Sequence, residues 1–174
     1  MDEWVSYRVL LNQGQLKADV VVAVADASNL KRNLLFCTQL IDLKIPVVIA
    51  LTMMDLANKK GIKVDTTELE RELGVPVIAV NPRKQKGIPQ LKKAIEQTAQ
   101  GLYKIPIKDF INNKALATES IDELQALKPN LSDYAAIHHL INHESFDIDP
   151  ELQFKIEFIE KKRKFNPTRT QAEE

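Results

Sequence analysis

An α/β unit followed by an all-α unit is the fold class that the sequence predicts. Two observations carry the first half. Three short apolar runs rich in Val and Ile, Ala18 to Ala25, Pro46 to Leu51 and Val75 to Val80, are separated by stretches with helical periodicity. A strand covered on both faces is apolar along its length, as parallel strands under crossover helices are, whereas a half-exposed strand alternates. The third observation is that no such run recurs after Tyr103, where only helical spacing remains.

In chain order, the first strand run is followed by Leu30, Leu34, Cys37 and Ile41 at i, i+4, i+7 and i+11, one face of a helix, with Ser28 or Asn29 ahead of them as a cap. Pro46 opens the second strand and Pro76 the third, where a missing N–H is tolerated. Gly61 and Gly74 stand where helical segments end. Ile88, Leu91 and Ile95 repeat the helical spacing, so this half reads strand, helix, strand, helix, strand, helix. Beyond it, Leu116, Ile121, Leu124 and Leu127, then Tyr134, Ile137, Leu140 and Ile141, then Leu152, Ile156 and Ile159 mark amphipathic helices. Pro129, Pro150 and Pro167 fall between or beyond these runs, and Ser132 and Asp149 are placed to cap. The change of pattern between Gly101 and Pro106 divides the chain into units over 1–103 and 104–174.

Composition narrows the functional classes. A chain of 174 residues with 44% hydrophobic content is long enough for one ordinary core or two small ones, which excludes disorder and fibrous repeats. Its 24 basic and 24 acidic side chains cancel, so the electrostatic footprint of a nucleic-acid binder is absent. The single cysteine, Cys37, falls in an apolar helical pattern and reads as core in a reducing compartment. No stretch approaches the roughly 20 apolar residues of a membrane span, and Asp2 and Glu3 replace the basic start of a secretory signal. A cytoplasmic location follows as the expectation. No Ser-His-Asp, Cys-His or paired-carboxylate arrangement can be proposed from spacing.

Open parallel sheets bind ligands beyond the carboxyl ends of their strands. Three segments fall there: Asp26-Ala27-Ser28-Asn29, Thr52-Met53-Met54-Asp55 and Asn81-Pro82-Arg83-Lys84. The runs Val24 to Leu34, Ile45 to Asp55 and Leu73 to Val77, with Arg83-Lys84 before Gly87-Ile88 and the opening Asp2-Glu3-Trp4-Val5, resemble the amino-terminal G domain of ferrous iron transport protein B, FeoB. Asp133-Tyr134-Ala135-Ala136-Ile137-His138-His139-Leu140 is similar to a run in that family's helical domain. The likeness spans essentially the whole chain, and its specificity lies in the order and spacing of the segments.

The resemblance implies a truncated P-loop GTPase-type sheet of three parallel strands with flanking helices, then a small helical regulatory (GDI-like) bundle. It implies a cytosolic part of a GTP-binding ferrous iron transporter whose parent lies in the bacterial inner membrane and binds GTP or GDP with Mg²⁺. The implied partners are the upstream half of the G domain, the parent's permease domain and guanine nucleotide, bound weakly or not at all by this chain alone. In the family an Asn-x-x-Asp motif reads guanine, its aspartate accepting from the ring N1–H and the exocyclic amine; Asp55 inherits that role. Such charge-assisted bonds contribute roughly 1.5–3 kcal/mol. Without the resemblance, Asp55 reads as an ordinary acid at a helix N-terminus and Met53 as core; with it, Met53 lies against the purine face.

Two positions depart from the family pattern. Thr52 stands where asparagine is usual, and its hydroxyl lacks the amide's donor pair. Asn81-Pro82-Arg83 replaces a Ser-Ala-Arg or Ser-Ala-Lys loop whose alanine N–H meets the guanine O6. Pro82 has no N–H, so a contact worth about 1 kcal/mol is missing unless Arg83 or Lys84 substitutes. An alternative reading is therefore a non-catalytic interaction module with a degenerate nucleotide pocket.

The sequence contains no Gly-x-x-x-x-Gly-Lys-Ser/Thr and no Asp-x-x-Gly, so neither the phosphates nor Mg²⁺ finds its family ligands here. Phosphoryl transfer depends on positioning and neutralising the phosphates, so this chain alone is expected to be inactive. The first strand, internal in a complete G domain, is expected to expose an edge over residues 19–25 that is met by edge-to-edge pairing, by an amino-terminal segment folded over it, or by dimerisation. His139 and His143 stand at i, i+4 near Glu144 and Asp147; a polar or partly buried helical face near a carboxyl end, where a cation is welcome, is the favoured reading over a metal site. Lys161-Lys162-Arg163-Lys164 reads as a solvated helix end rather than a contact with anionic lipid.

Overall fold

Three parallel strands, β1 (Val21–Asp26), β2 (Val47–Thr52) and β3 (Val77–Ala79), lie in the order β1-β2-β3 in the computed structural model, which describes Leu10, residues 18–145 and residues 148–167. The register runs from Val21 opposite Val47 to Asp26 opposite Thr52, and from Ile49 opposite Val77 to Leu51 opposite Ala79. β2 is central and buried from Val47 to Leu51, as its unbroken apolar run requires. The two prolines sit just ahead of their strands and join the ladder as acceptors: Val21 N–H donates to Pro46 O and Ile49 N–H to Pro76 O, both at 2.8 Å. Proline lacks only the donor, so a strand's opening is where it fits.

Helix α1 (Leu30–Asp42) packs on β1 and β2 through Cys37, Leu40 and Ile41, while Leu30 and Leu34 are half-buried. Burial pushes the Cys37 thiol up to about 11, so it behaves as core. The helix is led by a 3-10 turn, Ala27–Asn29, whose cap is Asp26: its carboxylate accepts from Ser28 N–H at 2.7 Å. Neither Ser28 nor Asn29 is the capping side chain; Asn29 instead offers its carbonyl to Asn33 Nδ2. The strand ends one residue later than its apolar run, which gives the cap to the carboxylate at its tip.

Two helices, α2 (Met54–Lys59) and α3 (Thr66–Leu73), stand between β2 and β3, ending at the two glycines, Gly61 and Gly74, where the sequence placed helical ends, although the strand-helix alternation counted a single helix there. Gly61, at φ +75°, turns the chain after α2, and Asp65 starts α3 by accepting from the N–H groups of Thr67 and Glu68. Gly74 ends α3 in the left-handed conformation, its N–H on Glu70 O at 2.8 Å. Helix α4 (Ile88–Ala99) then packs on β2 and β3.

Residues Asp19–Asp109 form one compact unit. Its last segment is held by local contacts: Pro106 lies over Gly74, where an added Cβ would come within 3.1 Å of its Cγ, and Lys44 Nζ donates to Lys108 O at 3.0 Å and reaches Asp109 Oδ1 at 2.6 Å.

The described residues from Phe110 onward belong to a second unit. Helices α5 (Thr118–Leu127), α6 (Asp133–Asn142) and α7 (Pro150–Arg163) meet around Ile121, Leu124, Ala136, Ile137, Leu140 and Ile156, all fully buried, with Ile159 beside them. Ser132 Oγ caps α6 by accepting from Ala135 N–H at 3.1 Å, and Asp149 caps α7 by accepting from the N–H groups of Glu151 and Leu152. Among the described residues no helix is long and apolar enough to cross a membrane.

Candidate functional site

The parallel register brings the carboxyl tips of all three strands to one edge of the sheet. Asp26 ends β1 directly opposite Thr52, and Val80 N–H donates to Leu51 O at 2.8 Å, which sets the start of the β3 loop beside the end of β2. The segments beginning at Asp26, Thr52 and Asn81 therefore leave the sheet side by side.

Thr52 Oγ1 donates to Ala25 O at 3.0 Å, so its hydroxyl ties the tip of β2 to β1. Met53 follows at φ +56°, in the left-handed region that bulky side chains rarely adopt, and is 49% exposed. This turn lets α2 start at once: Met53 O accepts from Ala57 N–H at 2.9 Å, and the fully buried Ala57 holds the helix in place. Helix α2 packs against the 3-10 turn after β1, and Asp55 stands exposed in its first turn.

The β3 loop is braced from within. Asn81 N–H donates to Lys86 O at 2.9 Å and Lys86 N–H to Asn81 O at 3.1 Å, while Asn81 Oδ1 and Asn81 O both accept from Lys84 N–H at 3.1 Å. Pro82–Lys84 form a 3-10 turn between these anchors, and Gln85 closes it at φ +51°. Gly87 completes the clamp: at φ +78°, a Cβ there would meet Ala79 O at 2.1 Å, so only glycine lets the loop lie this close to β3. Pro82 and Arg83 are exposed, and Asn81 is half-buried.

Of the residues singled out from the sequence, Thr52 ends β2, Met53 makes the turn and Asp55 stands in the first turn of α2, while Asn81, Pro82 and Arg83 lie in the loop after the neighbouring strand. Sequence reasoning missed two positioning features. The bond from Thr52 to Ala25 spans 27 positions in the chain and leaves no local trace, whereas Gly87, ahead of a helical pattern, was the available signal for the clamp.

The histidines lie in the second unit. His139 is 1% exposed, with Nδ1 2.8 Å from Ala135 O, and burial lowers its proton affinity. It is therefore a core imidazole and not a cation at a helix end, which corrects the sequence expectation; the carboxyl end of α6 points the buried ring at its own backbone. His143 Nε2 lies 3.2 Å from Glu160 Oε1 at ion-pair distance, although the pair is not aligned as a hydrogen bond. Burial raises the Glu160 carboxyl, opposed by the His143 imidazole. Glu144 is exposed, and Asp147 lies outside the described residues. Among the described residues no group of three or more His, Cys, Asp or Glu side chains is arranged to hold a metal ion.

Comparison with known proteins gives a consistent result. The family model described as ferrous iron transport protein B matches residues 1–95. The Fe(2+) transporter FeoB of Salmonella typhimurium is 38% identical over 97 residues and that of Escherichia coli K12 39% identical over 97, each match covering 56% of this chain and 12% of the relative. The chain thus matches about an eighth of the length of these curated relatives. Among solved structures, NFeoB from S. thermophilus with bound mGMPPNP superposes with a TM-score of 0.68 at 30% identity, covering 99% of this chain and 68% of that one. The FeoB G-domain of Methanococcus jannaschii gives 0.53 at 38% identity over 57% of this chain and 62% of that one. The apo cytosolic domain of T. maritima FeoB gives 0.68 at 25% identity over 94% and 69%.

Proposed function

The chain belongs to the ferrous iron transport protein B family, and on that premise we propose that it carries the guanine-recognising part of the transporter's G domain together with a helical regulatory unit. Residues 1–103 correspond in this reading to the G-domain part and 104–174 to the helical domain.

The observation that carries the reading is the side-by-side exit of the Thr52 and Asn81 loops from one edge of a parallel sheet. Between them, an exposed methionine can lie on a purine face while the Asp55 carboxylate accepts from the guanine N1–H and exocyclic amine, a donor pair adenine lacks. Thr52 acts here by positioning: its proton is already given to Ala25 O, so it holds the loop and not the base. The missing donor at Pro82 falls to the Arg83 backbone, because the Lys84 N–H is held by Asn81. Printed titles of related structures name bound GMPPNP and GDP, which supports a guanine nucleotide as the family's ligand.

The residues suit the base and not the rest of the nucleotide. With no phosphate loop and no Asp-x-x-Gly in this sequence, the family's own ligands for the phosphates and Mg²⁺ are not found in it, and no hydrolytic step is assigned to this chain. The G-domain segment that supplies the phosphate loop is its partner in this proposal, with the parent's permease downstream in function and the outer edge of β1 as the place where a strand, from that partner or from a second copy, would add.

The test is nucleotide binding by the chain combined with a polypeptide that supplies the phosphate loop. Asp55→Asn is expected to weaken GTP and GDP binding about tenfold or more while leaving ATP unchanged. Equal indifference to GTP, GDP and ATP would sink the reading. It would favour instead an interaction module with a degenerate pocket, for which the occupied Thr52 hydroxyl and the donor-less Pro82 are the supporting observations.

A further inference from the structure

Asn81 is fixed by four hydrogen bonds that leave one of its groups over. Its N–H donates to Lys86 O at 2.9 Å, its carbonyl accepts from the N–H groups of Lys86 and Lys84, both at 3.1 Å, and its side-chain Oδ1 accepts from Lys84 N–H at 3.1 Å. A peptide N–H needs an oxygen, so the last bond also fixes which end of the side-chain amide is the donor. The Nδ2 group has no hydrogen-bond partner among the described residues and is not sealed from solvent. Continuing the register from Leu51 opposite Ala79, with Val80 N–H on Leu51 O at 2.8 Å, sets Asn81 level with Met53. A fixed amide donor therefore stands beside the residue assigned to the purine face.

Neither loop offers another side-chain donor that is held in place. The Thr52 hydroxyl already donates to Ala25 O at 3.0 Å. The side chains from Arg83 to Lys86 are exposed and make no hydrogen bond or ion pair among the described residues. Within the β3 loop the N–H groups of Asn81, Lys84, Gln85 and Lys86 bond to the loop itself, Pro82 has none, and the Arg83 N–H is assigned above to the guanine O6. Guanine carries a second acceptor beside O6 on the same edge, the ring nitrogen N7. Asn81 Nδ2 is the donor whose position is set before a base arrives, which spares the cost of ordering it on binding.

We propose that Asn81 determines specificity at ring position 7 of the purine, its Nδ2 donating to N7 and so supplying from the β3 loop the amide donor that Thr52 cannot give. The inference rests on the guanine reading above and adds one contact to it. Adenine also has an N7 acceptor, so the choice of guanine over adenine stays with Asp55. What Asn81 rejects is a purine whose position 7 cannot accept a hydrogen bond, because its donor would then lose water without gaining a partner.

The experiment takes the chain combined with a polypeptide that supplies the phosphate loop and compares its affinity for GTP with that for 7-deaza-GTP, in which a C–H replaces N7. The native chain is expected to bind the analogue about fivefold more weakly. Asn81→Asp keeps an oxygen for the Lys84 N–H but turns the donor into an acceptor, so the ratio of the two affinities should fall to about one or below. Asn81→Ala, which removes the whole amide, should also bring the ratio to about one, and serves if the Asp variant does not fold. A residue that only shaped the loop would weaken both nucleotides by the same factor; an unchanged ratio in the variants therefore overturns the proposal, as does equal binding of both nucleotides by the native chain. So does a ratio that Thr52→Val erases and Asn81→Asp does not, which would give N7 to a hydroxyl released from Ala25. Guanine selectivity that still depends on Asp55, with no discrimination at N7, removes this contact alone, whereas indifference to GTP, GDP and ATP removes the guanine reading with it.

Discussion

The two units bury their apolar residues to different degrees. In the helical unit seven residues from three helices meet in one cluster, six of them fully buried, and every helix contributes. The α/β unit fills the space around β2 equally well, yet β1 has no strand on its outer side among the described residues, Val24 is 66% exposed, and Leu35 and Phe36 of α1 are exposed as well. A three-helix cluster closes on itself, whereas a sheet has edges that something must cover. The helical unit therefore closes its own core, with Phe154 and Phe158 left exposed on its outer side, whereas the α/β unit leaves the outer edge of β1 without a neighbouring strand among the described residues.

The largest expected effect lies in the closed core. Ile137→Ala removes a fully buried side chain that three helices surround, and should lower unfolding free energy by about 2–5 kcal/mol in urea titration. A loss below about 1 kcal/mol would mean the core is looser than its burial indicates and would break the comparison.

Acid should separate the units next. All three histidines in the sequence lie in the helical unit, and burial of His139 lowers its folded pKa below the ordinary value of 6.5. The unfolded chain then binds more protons, so the stability from neutral His139 is present above pH 6.5 and is lost as pH falls below it, by at most about 1.4 kcal/mol per pH unit. Hydrogen exchange followed from pH 7 downwards should show α6 amides opening before those of β2, and His139→Gln should flatten that trend. Opening of β2 first would reverse the assignment.

Smallest in stability, and most informative about the open edge, is Val24→Lys. The side chain is mostly exposed, so folding should change by no more than about 0.5 kcal/mol. A charge on that strand should nevertheless suppress self-association. Sedimentation velocity on the native chain and the variant measures this; identical monomers at all concentrations would remove the homodimer through residues 19–25 from consideration.

Much of this molecule was legible before its coordinates. The three strand runs, the helix over Leu30 to Ile41 and the Ser132 and Asp149 caps are local signals, set by periodicity and by side chains that bond their own backbone. The split into α2 and α3 was less legible, because Gly61 and Asp65 had to be read together as a stop and a start. At the candidate site the residue types and their loops were readable. Their mutual bracing was not, since Thr52 meets Ala25 across the sheet and Asn81 holds Lys84 and Lys86 in a turn.

What the sequence determined by itself is the order of elements, the parallel character of the sheet and the family, because hydrophobic period and motif spacing are properties of neighbours along the chain. Only the tertiary structure decided that His139 is a neutral core residue, that Thr52 gives its proton to a strand and that Phe154 and Phe158 face solvent. Burial and hydrogen-bond partners depend on residues distant in sequence, and packing alone brings those into contact.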